Sequence, residues 1–252
     1  MTDEPIALQL YTLRDATRAD MVGTLRRVAE IGYRAVEFAG WGDASPSSVR
    51  AALDAEGLRA VGAHVPFERF ESDRDRALEE CREVGCESVV VPSVPEVHLG
   101  SVESVRSLAR RLSEHAEAAA LAGLRLGFHN HAAELESIDG TTPWHVLVGE
   151  TDPEFIAFEV DLYWAAYAGA DPAAVLRAAP GRVPLVHAKD MAAGSRIDLP
   201  AGEGTLPWPE IVAAARVAGV RWFITEQDNP TDPFRDVETA LRNLRRILAD
   251  TQ

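Results

Sequence analysis

Val183-Pro-Leu-Val-His-Ala-Lys189, then a loop to Pro207, then Trp208-Pro-Glu-Ile-Val-Ala-Ala-Ala-Arg-Val-Ala-Gly219, then Val220-Arg-Trp-Phe-Ile-Thr-Glu226: this run reads as strand, helix, strand. Short apolar runs rich in β-branched and aromatic residues suit buried strands, and Gly219 closes the helix between them. The same rhythm extends in both directions. Strands are expected over 6–11, 34–39, 58–64, 88–92, 124–131 and 155–161. Helices are expected over 21–32, 46–57, 72–85, 101–123, 142–149, 172–179 and 233–250. Strict alternation of strand and helix implies a parallel sheet with helical crossovers. Eight such units in 252 residues fit an α/β fold of one domain over residues 1–252, a closed (β/α)8 TIM barrel. A doubly wound open sheet is the competing architecture. Neither a Gly-x-Gly-x-x-Gly run after a strand nor a Walker-type phosphate loop is present to support it.

Residues two apart on a strand share a face. In the C-terminal halves of the strands one face reads Gln9/Tyr11, Glu37/Ala39, Gly62/His64, Gly127/His129/His131, Glu159/Asp161, His187/Lys189 and Glu226/Asp228. The other face is apolar, as in Leu8/Leu10, Val36/Phe38, Leu126/Phe128 and Phe158/Val160. An apolar outer face suits helices packed around the barrel. A polar inner face with small residues beneath suits a cavity at the strand C-termini, where barrel active sites lie. Any one of these polar residues can be a satisfied structural group. Seven strands contributing together point to a site.

The bulk composition narrows the classes. A net charge of −15 argues against a basic nucleic-acid surface. The acidic start, Met1-Thr-Asp-Glu-Pro5, lacks a signal-peptide pattern, and no apolar run approaches the ~20 residues of a membrane span. A cytoplasmic location without membrane partners is the expectation. Cys81 and Cys86 lack zinc-finger spacing to any His and read as packing residues. Lys189 is the only lysine among 25 basic residues. A compact ammonium on a flexible stem is not interchangeable with a planar guanidinium, so its position beside His187 marks it for a role.

Asp161, His187 and Glu226 end adjacent strands, and such ends can converge on one point. One imidazole and two carboxylates form a hard donor set that suits Mn²⁺, Mg²⁺ or Co²⁺ better than structural Zn²⁺. A fourth ligand is expected from the fifth strand, where His129, His131 and Glu134 are all candidates.

At this point the chain resembles the xylose isomerase-like barrel proteins, often called the sugar phosphate isomerase/epimerase superfamily, with inosose dehydratases and ketose 3-epimerases among them. The resemblance covers essentially the full chain. It is carried by Leu8-Gln9-Leu10-Tyr11-Thr12, His129-Asn130-His131-x-x-Glu134, Glu159-Val-Asp161-Leu-Tyr163-Trp164, His187-Ala-Lys189-Asp190, Gly202-Glu203-Gly204 and Glu226-Gln227-Asp228. It implies a metal held by Glu, Asp, His and Glu from the fifth to eighth strands. Asp161, His187 and Glu226 match the last three. Epimerases of the family carry a Glu at the end of the fifth strand, where this chain has His129. The resemblance therefore assigns the fourth position to Glu134 reaching back from the loop, with His129 as its substitute.

The expected chemistry is a divalent-metal-dependent isomerase or epimerase reaction on a keto sugar or keto cyclitol through an enediolate, with Mn²⁺ as the expected ion. Glu226, His129, Lys189 and Glu134 are the candidate catalytic groups. Gln9, Glu37, His64, His131, Trp41 and Trp164 are candidates for substrate binding, and Tyr163 offers a further flat wall. A dehydratase shares the enediolate step and is the alternative. A non-catalytic sugar-binding barrel is the remote alternative, and phosphodiester hydrolysis, which needs more His ligands and a basic groove, is less favoured still. The loops after the seventh and eighth strands carry Asp190, Asp198, Glu203 and Asp228, against Arg196 alone. An unphosphorylated substrate follows. A homodimer is compatible with the resemblance, on which the sequence is silent.

Overall fold

Alternating apolar strands and amphipathic helices close into the expected barrel. The computed structural model describes residues 5–251; residues 1–4, read above for want of a leader pattern, lie outside them. The strands in chain order are β1 (Ile6–Gln9), β2 (Ala35–Phe38), β3 (Arg59–His64), β4 (Ser88–Val91), β5 (Arg125–His129), β6 (Ile156–Asp161), β7 (Leu185–His187), β8 (Lys189–Met191), β9 (Asp198–Pro200) and β10 (Trp222–Thr225). All but β8 and β9 form one closed sheet, and its pairs are parallel. Closure comes from β1 on β10, with Ile6 opposite Phe223 and Leu8 opposite Thr225.

The two faces of the strands separate as their alternation predicts. Leu8, Val36, Phe38, Leu126, Phe128, Phe158 and Val186 face outward into the large core under the helices. Ala7, Ala35, Val61, Val90, Leu185, Trp222 and Ile224 form a second, smaller cluster on the axis. These lie toward the strand N-termini and make an apolar floor. Gln9, Glu37 and His187 follow two residues on in their strands, Glu159 stands in the same layer on β6, and all four are fully buried. The floor keeps water from below, so the polar groups above it must satisfy one another.

Local signals start and stop the helices as expected. Ser45 caps α3 (Pro46–Glu56), Pro46 takes its first turn, and Gly57 ends it at φ 65°. Ser101 and Ser104 form a reciprocal cap on the helix Val102–Leu121. Several boundaries differ from expectation. The segment after β1 is helical at once, with a 3₁₀ turn (Leu10–Leu13) and a short helix (Arg14–Ala19). The third-unit helix starts at Phe67 rather than 72, broken at Asp73, where φ and ψ are −152° and 44°. The seventh barrel strand ends at His187. Lys189 belongs to β8, which pairs with β9 in an antiparallel hairpin inside the segment expected to be a loop. Asp190 explains that hairpin. Its carboxylate accepts the amides of Met191, Gly202 and Leu206 and the indole N–H of Trp208. A Cβ at residue 204 would stand 2.3 Å from Asp190 Oδ1, so Gly204 is required for the wrap.

Cys81 and Cys86 are buried free thiols, in keeping with packing roles. Among the described residues no helix is long and apolar enough to cross a membrane.

Candidate active site

A pocket of about 590 Å³ opens at the C-terminal end of the barrel, with Tyr11, Arg14, His64, His131, Trp164 and Asp228 among its walls. Two sets of ionisable groups lie at its base, one above the other.

The upper set gathers around Lys189. Its Nζ is 2.9 Å from Asp161 Oδ2, 2.7 Å from Glu226 Oε2 and 3.1 Å from each carboxylate oxygen of Asp228. Asp161 is aimed by its own helix. Its Oδ1 accepts the Trp164 amide and caps α7 (Leu162–Tyr167), which leaves Oδ2 for the site. Asn130 Oδ1 accepts the Asp161 amide from β5 and fixes the strand end. His129 Nε2 lies 3.3 Å from Asp161 Oδ2, and His187 Nδ1 lies 2.8 Å from Glu226 Oε2. Asp228 is held in turn by the hairpin, because Asp198 Oδ2 accepts its amide at 2.6 Å.

The charges in this set hold one another. Burial works against the ionised forms of Asp161 and Glu226. The Lys189 ammonium outweighs it, with Asp161 brought down to about 2 and Glu226 well below the usual carboxylate range. Burial likewise opposes the ammonium, and Asp161 and Glu226 hold it well above its ordinary value. Asp228 is the exception: burial pushes it up to about 6 despite Lys189. His131 is driven down to about 3 by burial and by His129, and burial also lowers His129. Both imidazoles are therefore held toward the neutral form, and His131 is a weak base.

The lower set consists of Glu37, Glu159, His64 and His187. His187 Nε2 lies 2.9 Å from Glu37 Oε2 and 3.1 Å from Glu159 Oε2, while its Nδ1 serves the upper set. His64 Nε2 lies 2.8 Å from Glu159 Oε2 and 3.5 Å from Glu37 Oε2. Gln9 Nε2 donates to Glu37 Oε2 at 2.9 Å. The β2–β3 register slips between Val36 and Glu37, and a Cβ at residue 62 would meet Glu37 Oε1 at 2.6 Å. The irregularity and Gly62 together make room for the carboxylate. The pair shares its charge unevenly. Burial and the neighbouring Glu159 push Glu37 up to about 7. For Glu159 burial is outweighed by His187 and His64, which hold it well below the usual range. His187 stays protonated for the converse reason: burial opposes its charge, but Glu159 and Glu226 overcome that.

The sequence-derived candidates are distributed unevenly. Asp161, His187 and Glu226 converge, and His129 joins them from β5. His129, Asp161 and His187 form one group whose donor atoms lie within 4.8 Å of one another, and Glu37, His64, Glu159 and His187 form another. Glu134 is in neither. Its Oε2 accepts the His131 amide at 2.8 Å, a local bond back from the turn Ala133–Leu135 to the chain leaving β5. From β5 it is His129 that the fold brings to this group, while Glu134, five positions on in a tight loop, satisfies that loop's own backbone. Gln9 and Glu37 lie beneath the pocket rather than in its wall. Trp41 is turned away, packed on Phe38 with its indole N–H donated to Glu80. His64, His131 and Trp164 do line the pocket, with His131 and Trp164 rings 5.2 Å apart. Tyr163 stands beside Lys189 and donates its hydroxyl to the Arg196 carbonyl.

Sequence reasoning missed Arg14 and Arg69 at the rim. Arg14 donates to the Asp228 and Tyr11 carbonyls, and Arg69 pairs with Glu80. Neither sits on a barrel strand, so the spacing rule had no hold on them. Arg196 lies over the Tyr167 ring and is not among the pocket walls.

With this geometry in hand, the comparisons are informative. A sequence profile described as xylose isomerase-like TIM barrel matches residues 25–247. An inosose dehydratase from Geobacillus kaustophilus is 26% identical over 195 residues, 66% of this chain. The match spans 61% of that protein's own length. A sugar phosphate isomerase/epimerase from Parabacteroides distasonis superposes with a TM-score of 0.85 at 24% identity, over 97% of this chain and 94% of that one. An L-ribulose 3-epimerase gives a TM-score of 0.77 at 16% identity, over 98% and 95% of the two chains. At these identities the structural likenesses establish the fold.

Proposed function

The chain belongs to the xylose isomerase-like TIM barrel family, and on that premise we propose that it is a divalent-metal-dependent isomerase or epimerase of an unphosphorylated keto sugar or keto cyclitol. The observation that carries the reading is the upper set. Two carboxylates and two imidazoles from four neighbouring strands face one point, and that point already attracts a cation, the ammonium of Lys189. The donors fit a hard or borderline ion such as Mn²⁺, with His129, Asp161, His187 and Glu226 as its holders. Bound there, the ion supplies Lewis-acid stabilisation of negative charge developing on a carbonyl oxygen.

The chain's own groups do the rest. Glu226 is ionised and keeps a second carboxylate oxygen, so it accepts the proton from the carbon beside the carbonyl; His129, with one lone pair, takes that role only where it does not hold the ion. Lys189 presents an ammonium to the oxygen that gains charge. His64 and His131 are placed for hydroxyl groups, and Trp164 supplies a flat wall. The pocket carboxylates, Glu226 and Asp228, both come from the end of β10, and imidazoles stand elsewhere around them. A carboxylate paired with an imidazole is chemically unsymmetrical. That favours a second reading, a dehydratase in which an imidazole protonates a leaving β-hydroxyl, and the likeness to an inosose dehydratase supports it. Rim arginines already engaged with protein partners support an unphosphorylated substrate.

The test is incubation of Mn²⁺-loaded protein with keto sugars and inososes in D₂O. Deuterium should enter at a carbon next to the carbonyl, and Asp161→Asn should abolish it. A product lighter by one water identifies the dehydratase. No deuterium and no new product across the panel would sink the proposal.

A further inference from the structure

We propose that the lower set is a cation site in its own right, with Glu37, His64, Glu159 and His187 holding one divalent ion of the borderline class, Zn²⁺ or Co²⁺, on the barrel axis. The donors come from β2, β3, β6 and β7. Their separations are the first argument. A tetrahedral ion with bonds of about 2.1 Å needs donors about 3.4 Å apart. The four imidazole-to-carboxylate separations here are 2.8, 2.9, 3.1 and 3.5 Å. Small outward shifts would seat the ion. Two imidazoles and two carboxylates are the ligand chemistry of the borderline metals.

Charge is the second argument. The upper carboxylates have an ammonium. Among the described residues, the ion pairs of Glu37 and Glu159 are with imidazoles alone. Both side chains are completely buried, and one of the two imidazoles, His187, also serves Glu226. Two buried carboxylates on a dry axis need more compensation than that. The third argument is unmet bonding. Glu37 Oε1 and Glu159 Oε1 are buried without a hydrogen-bond partner. Access is through His64, whose side chain is 11% exposed and lines the pocket.

His187 links the two positions. A neutral imidazole offers one lone pair. An ion taking Nε2 leaves the Nδ1–H to donate to Glu226, so an ion above and an ion below compete for one ligand. Two binding events of unequal affinity follow. The lower site shares His187 and the pocket-lining His64 with the function proposed above, while Glu37 and Glu159 belong to it alone, and the two readings fail separately.

The experiment is titration of chelator-treated protein with Co²⁺, followed by calorimetry and by visible absorption. In Asp161→Asn, one equivalent should still bind and show the intense bands of four-coordinate Co²⁺. In His64→Gln and in Glu159→Gln, that event should weaken by ~100-fold or more, with binding at the upper set retained. Circular dichroism checks that each variant folds. Crystals of the wild-type protein grown with Zn²⁺ give a reading that no variant can confuse, an anomalous peak among the four donors. Binding abolished by Asp161→Asn and untouched by His64→Gln would overturn the lower site and leave the upper one standing. Binding indifferent to Asp161→Asn would instead remove the metal from the upper set. No binding of Co²⁺ at all would remove both.

Discussion

Asp161, Glu226 and Asp228 close on the ammonium of Lys189, while Glu37 and Glu159, one layer lower, have ion pairs among the described residues only with the imidazoles of His64 and His187. Both sets are buried on the same axis and share one histidine. The difference lies in how the charge is met. A lysine is a permanent cation that the chain carries with it, whereas a histidine changes charge with its surroundings. The upper set therefore carries a fixed counter-charge in the sequence, and the lower one depends on whatever proton or ion is available. A side chain on a long stem can also yield its place to an incoming ion or a substrate oxygen, while a carboxylate held between two rings can make only small shifts.

Removing the ammonium should give the largest effect. Lys189→Met leaves three carboxylates without their cation, and breaking a buried ion pair from one side typically costs ~3–5 kcal/mol. Urea unfolding of the metal-free variant should show that loss, and Mn²⁺ should restore much of it. A loss below ~1 kcal/mol would mean that the upper set is not held by charge.

The next effect separates the sets by pH. Asp161 is depressed to about 2, so the stability it contributes is present above the ordinary carboxyl range and lost as pH falls through about 2. Glu37 has the opposite sign. It is raised to about 7, so its contribution is complete below the ordinary range and lost as pH rises through about 7. Between pH 5 and 8 the metal-free wild type should therefore lose stability relative to Glu37→Gln by ~1–3 kcal/mol. Parallel stability curves for the two proteins would show that Glu37 ionises with the upper set, and the contrast would fall.

The smallest effect concerns what holds the upper set in place. Asp198→Ala removes the acceptor for the Asp228 and Asn229 amides. Stability should drop by ~1–2 kcal/mol, and exchange turnover should fall more than substrate affinity. An unchanged rate would mean that Asp228 needs no support from the hairpin.

Much of this was legible in the chain. Spacing by two on the strands placed Gln9, Glu37, His64, Glu159, Asp161, His187 and Glu226 on the inner face, because strand parity is dictated by backbone geometry. The convergence of Asp161, His187 and Glu226 followed from adjacent strand ends. What the sequence hid lies where parity stops. Lys189 shares the parity of His187 yet sits in a separate hairpin, since Asp190 draws the chain out of the barrel. Glu134 looked like a ligand and instead serves its own turn. Trp41 found Glu80, and Arg14 and Arg69 reached the rim from helices. The stacking of the polar residues into two layers was hidden too. Parity assigns a face, while depth depends on side-chain length and on the space left by Gly62.

The bracket around Asp190 has a consequence for engineering. One carboxylate gathers four N–H donors from Met191, Gly202, Leu206 and Trp208, and so sets the path of the chain from β8 to the helix Trp208–Ala218. The tip between β8 and β9, where Arg196 takes φ 59°, lies outside this bracket. The segment behaves as a cassette, with a base that carries its own fastening and a tip that is free to vary. Loops grafted at the tip would reshape the neighbourhood of Tyr163 and Tyr167 while Asp198 and Asp228 keep their register. Selectivity could then be altered there without rebuilding the barrel.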